Sequence, residues 1–384
     1  MHGPADLEGK SMIPRQIRAL ALLTVSFAVT PAHAVPHRSP LLSTGTRAIR
    51  SVTSNRQTLN VAAREVMTIT VDFAQRGMAS ALVVDRDGFP VRTLAKSQPV
   101  SGVVSLGWDG RDDAGEVVAD EAYSVRVEWR SGGMSDVYFP ADAPAKMQRV
   151  AASSYNRRSA TLAYTLAEPS RVHIQAGTAA LDPNTKQLVG PVMKTVVNRE
   201  PRGAGAIAEH WSGFDESGAV FIPDLKDFVV AIAATPLPEN SIITFGNARR
   251  HFVETIATRR GASLFTHRDN TDHHAGLSTL DDVSPALTIQ PLNAVWSPEG
   301  HVWIVRGRAL RARLALAGPS SAAFRRHPAT IERFVDGRRL GDPARKRGDI
   351  VEIPLDAPGE TQRISINWNS DFGPVAANTI QVRR

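Results

Sequence analysis

The 384-residue chain is 42% hydrophobic and 22% charged, carries a formal net charge of +7 and contains no cysteine. That length is more than one core fills, so a globular chain of two to four domains is expected. The missing cysteine excludes a disulfide framework, Cys-ligated zinc or iron–sulfur centres, attached c-type haem, a thiol nucleophile and the lipid-acceptor residue of a lipoprotein.

In chain order, Arg15 and Arg18 precede an apolar run over residues 19–29, and Pro31-Ala32-His33-Ala34 supplies small residues at a cleavage site. The pattern predicts a secretory signal peptide over 1–34 and a linker over 35–50, hence an exported protein, periplasmic or extracellular. The apolar run is far shorter than the roughly 20 residues a membrane-spanning helix needs. No later stretch is apolar enough to span a bilayer.

Short alternating runs follow. Met67, Ile69, Val71 and Phe73 share one face of a half-buried strand, with Thr68, Thr70 and Asp72 on the other. Asp87-Gly88 sits between two apolar runs as a hairpin turn. Tyr123, Val125, Val127 and Trp129 alternate with Ser124, Arg126 and Glu128. Strands at this spacing predict a sandwich.

An internal repeat organises the chain. Trp108-Asp109-Gly110-Arg111-Asp112-Asp113-Ala114-Gly115 recurs 103 residues later as Trp211-Ser212-Gly213-Phe214-Asp215-Glu216-Ser217-Gly218. In each copy a short β-branched stretch and then an aromatic-led strand follow, starting at Tyr123 and Phe228. A period near 100 residues matches one sandwich domain. Elementary chemistry assigns the Trp to a core and the Asp and Gly residues to a tight bend. Asp109, Asp112 and Asp113 as calcium ligands form the competing reading, weakened by Ser212 in the second copy.

Trp108, Asp109, Gly110, Arg111, Asp112, Gly115, Val117, Val118 and Tyr123 together resemble the immunoglobulin-like domain family of the bacterial flagellar hook-capping protein, clearly over residues 51–133 and more loosely over 147–246. Glu121-Ala122 stands where that family has Gly before the Tyr. The resemblance implies an all-β chain of tandem immunoglobulin-like antiparallel β-sandwich domains after the signal peptide. It implies a fold rather than an activity.

The first sandwich is expected over 51–134, the second over 147–246 and a third over 285–384. The third lacks the Trp motif but shows alternation at residues 310–317, 350–355 and 364–368, with a turn at Val335-Asp336-Gly337. Residues 247–284 read as a polar connector. Within it His267, Asp269, Asp272, His273 and His274 offer imidazole and carboxylate to a borderline cation such as zinc or nickel, against the reading of an exposed polar loop.

Residues 301–350 hold 12 Lys or Arg against four Asp or Glu. Arg306, Arg308, Arg311, Arg313, Arg338 and Arg339 are the candidate anion-binding residues, directed at an acidic polysaccharide or lipopolysaccharide. Nucleic acid is disfavoured because aromatic residues are not interleaved with these cations. No nucleophile elbow, zinc-protease helix, phosphate loop or dinucleotide fingerprint occurs, so no catalytic residue and no cofactor are assigned. Two readings follow: an exported non-enzymatic scaffold or adhesion protein making protein–protein or cell-envelope contacts, or a binding module or small enzyme for anionic polysaccharide.

Overall fold

The computed structural model describes residues 47–384 except 87, 143–147, 151–152, 179–189, 248–251, 253–284, 319–320, 322–328, 346–347, 357 and 371–372. The expected signal segment and the His/Asp cluster at 267–274 lie outside the described residues. Among those described, no helix is long and apolar enough to cross a membrane.

Strands dominate the described residues. The first unit holds β1 (Ile49–Ser54), β2 (Thr58–Asn60), β3 (Met67–Val84), β4 (Pro90–Trp108), β5 (Ala122–Ser131) and β6 (Met134–Tyr138). The next stretch holds β7 (Gln148–Arg149), β8 (Ser153–Asn156), β9 (Thr161–Leu166), β10 (Ser170–Thr178), β11 (Val192–Arg202), β12 (Gly205–His210), β13 (Phe228–Pro236) and β14 (Ile242–Phe245). The last contains β15 (Ala286–Pro291), β16 (Ala294–Ser297), β17 (Val302–Val305), β18 (Ala309–Ala317), β19 (Thr330–Val335), β20 (Arg338–Arg339), β21 (Ala344–Arg345), β22 (Ile350–Pro354), β23 (Thr361–Ser370) and β24 (Gly373–Arg383).

The alternation read at Met67, Ile69, Val71 and Phe73 is realised, with all four side chains in the core. β3 is longer than one sheet face needs, and the register with β4 shifts between Phe73 and Gly77. Before that shift β3 pairs with β1, and after it with β5. The bend lets one strand serve both layers of the sandwich. Gly77 sits where a Cβ would run into the Trp129 indole, so close approach demands glycine there.

The second unit stacks the sheet β11-β10-β13-β7 against β12-β9-β8. Leu162, Tyr164, Val172, Ile174 and Ile232 fill one end of the space between them, and Met193, Trp211, Val220 and Ile222 the other. The third unit packs β15-β18-β22 against the sheet β16-β17-β24-β23-β19-β20, around Leu310, Leu314, Ile353, Ile366 and Trp368.

One segment departs from the repeat. Residues 242–245, placed by the sequence at the end of the second sandwich, form β14, which pairs antiparallel with β5 and parallel with β2 of the first unit. Ile242 is part of the first core. The aliphatic run Ile242-Ile243 finds its apolar partners there, and strand pairing across units is invisible to a linear pattern.

Candidate functional site

The repeated turn is built from the backbone outward. Trp108 is buried and its indole Nε1 donates to the Arg111 carbonyl at 2.9 Å. Trp211 is buried in the same way and donates to the Phe214 carbonyl at 2.9 Å. Each indole meets the aromatic that leads the following strand, Tyr123 at 5.4 Å and Phe228 at 6.2 Å between ring centroids. Gly110 and Gly213 take φ of +72° and +87°, open to glycine at little cost.

The two buried aspartates do equivalent work. One Asp112 carboxylate oxygen accepts from the Ala114 and Glu116 N–H groups, both at 2.9 Å. One Asp215 oxygen accepts from Ala219 and Val220 at 2.9 and 3.0 Å. Asp109 accepts from the Arg111 N–H, and Asp113 from the Thr93 N–H and hydroxyl. Asp109, Asp112 and Asp215 thus hold backbone donors of their own turns, and Asp113 ties its turn to Thr93 of β4.

The six candidate arginines do not share one face. Arg311 and Arg313 are exposed on β18, opposite buried Leu310, Ala312 and Leu314, as the alternation implied. Arg338 and Arg339 lie on β20 of the other sheet, where Arg338 pairs with Asp356 at 2.7 Å and Arg339 with Glu332 at 3.3 Å. Arg306 and Arg308 belong to the loop between β17 and β18.

The joints between units carry the most unusual chemistry, and sequence reasoning missed them. Glu121 of the first unit is buried between two guanidinium groups, Arg86 at 3.3 Å from its own unit and Arg171 of β10 at 2.7 Å. Burial alone pushes the Glu121 carboxyl up; Arg171 and Arg86, with hydrogen bonds from Arg171 and the Ala122 N–H, outweigh it and hold the pKa below 4.5. The Glu121 N–H donates to the Thr244 hydroxyl on β14 at 3.1 Å. Asn240, just before β14, donates to the Val52 carbonyl and the Tyr138 hydroxyl, both at 2.8 Å. A cavity of about 20 Å³, room for one water, lies among Arg86, Arg171, Ser124 and Ser241.

Phe252 of the connector is buried beside Ala119, with its ring 4.3 Å from the Arg86 guanidinium. Further along β10, the His173 imidazole is pushed down to about 3, by burial first and then by Arg199, against hydrogen bonds with Asn198 and Gln175. The one trace of this joint in the sequence was Glu121-Ala122 standing where the resembling family has Gly.

A second joint is mainly neutral. Ser365, Asn367 and Thr379 alternate with the core residues of β23 and β24 and so should face water, yet all three are buried. With its amide turned to satisfy both groups, Asn367 donates to the Val192 carbonyl at 2.9 Å and accepts from the Val192 N–H at 3.1 Å, the pairing a neighbouring strand would make. Ser365 and Thr379 bond each other at 2.9 Å, and Val192 packs on Ala377 with Val229 and Ala231 alongside.

Fold and joints together define a protein of tandem immunoglobulin-like β-sandwiches with buried contacts between successive units. Residues 58–133 match the family model of the FlgD Ig-like domain, the family suggested by the Trp108 motif. A comparison with curated proteins finds no match. Among solved structures, one of Dscam, described as the structural basis of its isoform specificity, is 11% identical, over 86% of this chain and 72% of that one, at a TM-score of 0.20. The central fibronectin-III array of RIM-binding protein is 11% identical, over 90% and 100%, at 0.18. The FN1–FN3 domains of chicken CNTN1 are 8% identical, over 88% and 99%, at 0.16. Likenesses this slight have no bearing on function.

Proposed function

We propose that the chain is an exported, non-enzymatic scaffold whose tandem sandwiches hold protein or cell-envelope components at a set spacing. The observation that carries this reading is the pair of buried joints. A string of independent binding modules would be joined by exposed, polar linkers with few crossing contacts. Here a strand of one unit completes the sheet of another, and the Arg86–Glu121–Arg171 cluster is sealed between them. Burying three charges is costly, and a joint retained at that cost suits a protein whose task is to keep its units in register. Export is supported by the basic, apolar and small-residue pattern over 1–34.

The test is complementation of a deletion strain. The wild-type chain should restore the surface or growth defect, whereas Glu121→Ala combined with Asn367→Ala, secreted to the same level, should not. Full rescue by a chain whose units are joined through long flexible linkers would overturn the reading. So would recovery of the protein from the cytoplasm with residues 1–34 intact.

A further inference from the structure

We propose that the β16–β17 hairpin and the loop that follows it form a binding surface for an acidic polysaccharide. The surface stands independently of the scaffold reading. It rests on aromatic rings, guanidinium groups and a strand edge that have no carboxylate or strand partner among the described residues and are brought together within one short stretch.

β16 is the edge strand of the third unit's larger sheet, and among the described residues nothing pairs with its outer side. The Arg306 N–H donates to the Asn293 carbonyl at 2.8 Å, and these two residues lie directly opposite one another. That bond sets the phase of the ladder: Val295 and Ser297 bond inward to β17, so the backbone groups of Ala294 and Trp296 point outward. Trp296 therefore sits opposite Trp303 in a pair without mutual hydrogen bonds, where side chains approach closely, and their rings lie 5.3 Å apart. Trp296 is 42% exposed, while Trp108, Trp129, Trp211 and Trp368 are at most 3% exposed. The His301 ring stands 6.2 Å from Trp296, on a residue held at φ +47°.

The cations lie about 10 Å along the same hairpin, three residues at roughly 3.3 Å each. The Asn293 side chain donates to the carbonyls of Arg306 and Ala309 at 3.0 and 2.8 Å and accepts from the Arg311 N–H at 2.9 Å. That clamp, with Gly307 at φ +108°, presets the loop that presents Arg306 and Arg308. Both are exposed, and neither pairs with a carboxylate among the described residues, unlike Arg338 and Arg339.

Indole faces are electron-rich and stack on the C–H faces of sugar rings. Arginine forks bind carboxylate or sulfate bidentately, and the outward N–H and C=O groups can take hydroxyls. An added peptide strand fits less well, because only Ala294 and Trp296 offer outward groups and Pro291 and Pro298 bracket them. A lipid surface fits less well too, since the hairpin tip is Pro298-Glu299-Gly300-His301.

Purified full-length protein would be titrated with polygalacturonate, neutral dextran, polyglutamate, oligothymidylate and phosphatidylglycerol vesicles. Because the other four indoles are buried, acrylamide quenching reports on Trp296 and Trp303. Polygalacturonate should shield them and bind at least about tenfold tighter than each other probe. Trp296→Ala, and separately Arg306→Ala with Arg308→Ala, should each weaken binding by about tenfold, the arginine pair also flattening its salt dependence. Trp296→Phe should retain most of the affinity, and Arg338→Ala with Arg339→Ala should change nothing. The proposal is overturned if Trp296→Ala binds normally, if the Arg338 and Arg339 variant weakens binding as much as the Arg306 and Arg308 variant, or if another probe binds as tightly as polygalacturonate.

Discussion

The two copies of the Trp turn share a backbone and differ in how side chains brace it. In the first, Arg111 donates to the Gly115 carbonyl at 2.7 Å and lies 3.7 Å from Asp109. In the second, Phe214 replaces that arginine and packs edge-on against Phe221 at 5.3 Å, while the Tyr155 hydroxyl donates to the Trp211 carbonyl at 3.1 Å. Trp, the first Gly, the adjacent pair of acids and the last Gly recur because each meets a backbone requirement, the second acid of the pair accepting the Thr93 N–H in one copy and the Thr195 N–H in the other. The position between the first Gly and the acids braces the turn by ion pair in one copy and by aromatic contact in the other. A further difference lies just before the aromatic-led strand: Glu121, two residues ahead of Tyr123, enters the joint, whereas Lys226, two residues ahead of Phe228, is exposed.

Trp108→Ala and Trp211→Ala should show the largest effects, each costing about 3–5 kcal/mol. Calorimetry should find the greater loss for Trp108, which belongs to one continuous core, whereas Trp211 belongs to the smaller of two clusters in its unit. Quenching of either indole by acrylamide in the native protein would break the comparison, since both are buried. Glu121→Ala comes next, at about 3 kcal/mol, because it leaves two guanidinium groups buried without their carboxylate. In urea titrations of the two variants, Lys226→Ala should be near neutral.

Acid should act through two buried groups, Glu121 at the joint and His173 on β10. Glu121, with its pKa depressed, contributes stability that is present above its unfolded value of 4.5 and is lost as pH falls through the folded value. His173 works over a higher window: between 6.5 and about 3 the unfolded chain takes up a proton that the folded chain does not. Stability should therefore fall with decreasing pH below 6.5, by up to about 1.4 kcal/mol per pH unit. Urea midpoints across pH should show this slope, and His173→Gln should flatten it above pH 4.5.

Within the turns, Asp112→Ala and Asp215→Ala should each cost about 1–3 kcal/mol, since each strands two backbone donors. Asp109→Ala should cost least, about 1 kcal/mol or below, because its exposed pair with Arg111 is solvated. Ser212→Asp should then restore nothing measurable to the second copy, which lacks the arginine. A large gain in its melting temperature would show that the first acid matters more than the shared backbone implies.

The sequence by itself determined the strands whose alternation has a buried side, such as Met67 to Phe73 and Leu310 to Leu316, and both Trp turns. A strand's own period and a turn's backbone bonds are local, involving residues a few positions apart. Only the tertiary structure decided that Ile242-Ile243 completes the first sheet, that Ser365, Asn367 and Thr379 are covered, and that Glu121 meets Arg171. Each of these depends on what packs against a face from more than 45 positions away, and a polar residue reads the same in sequence whether water or a neighbouring unit satisfies it. The six arginines teach the same lesson from the other side. Their count was plain in the chain, but which of them lack a carboxylate partner among the described residues was settled by Asp356 and Glu332, which pairing brought alongside Arg338 and Arg339.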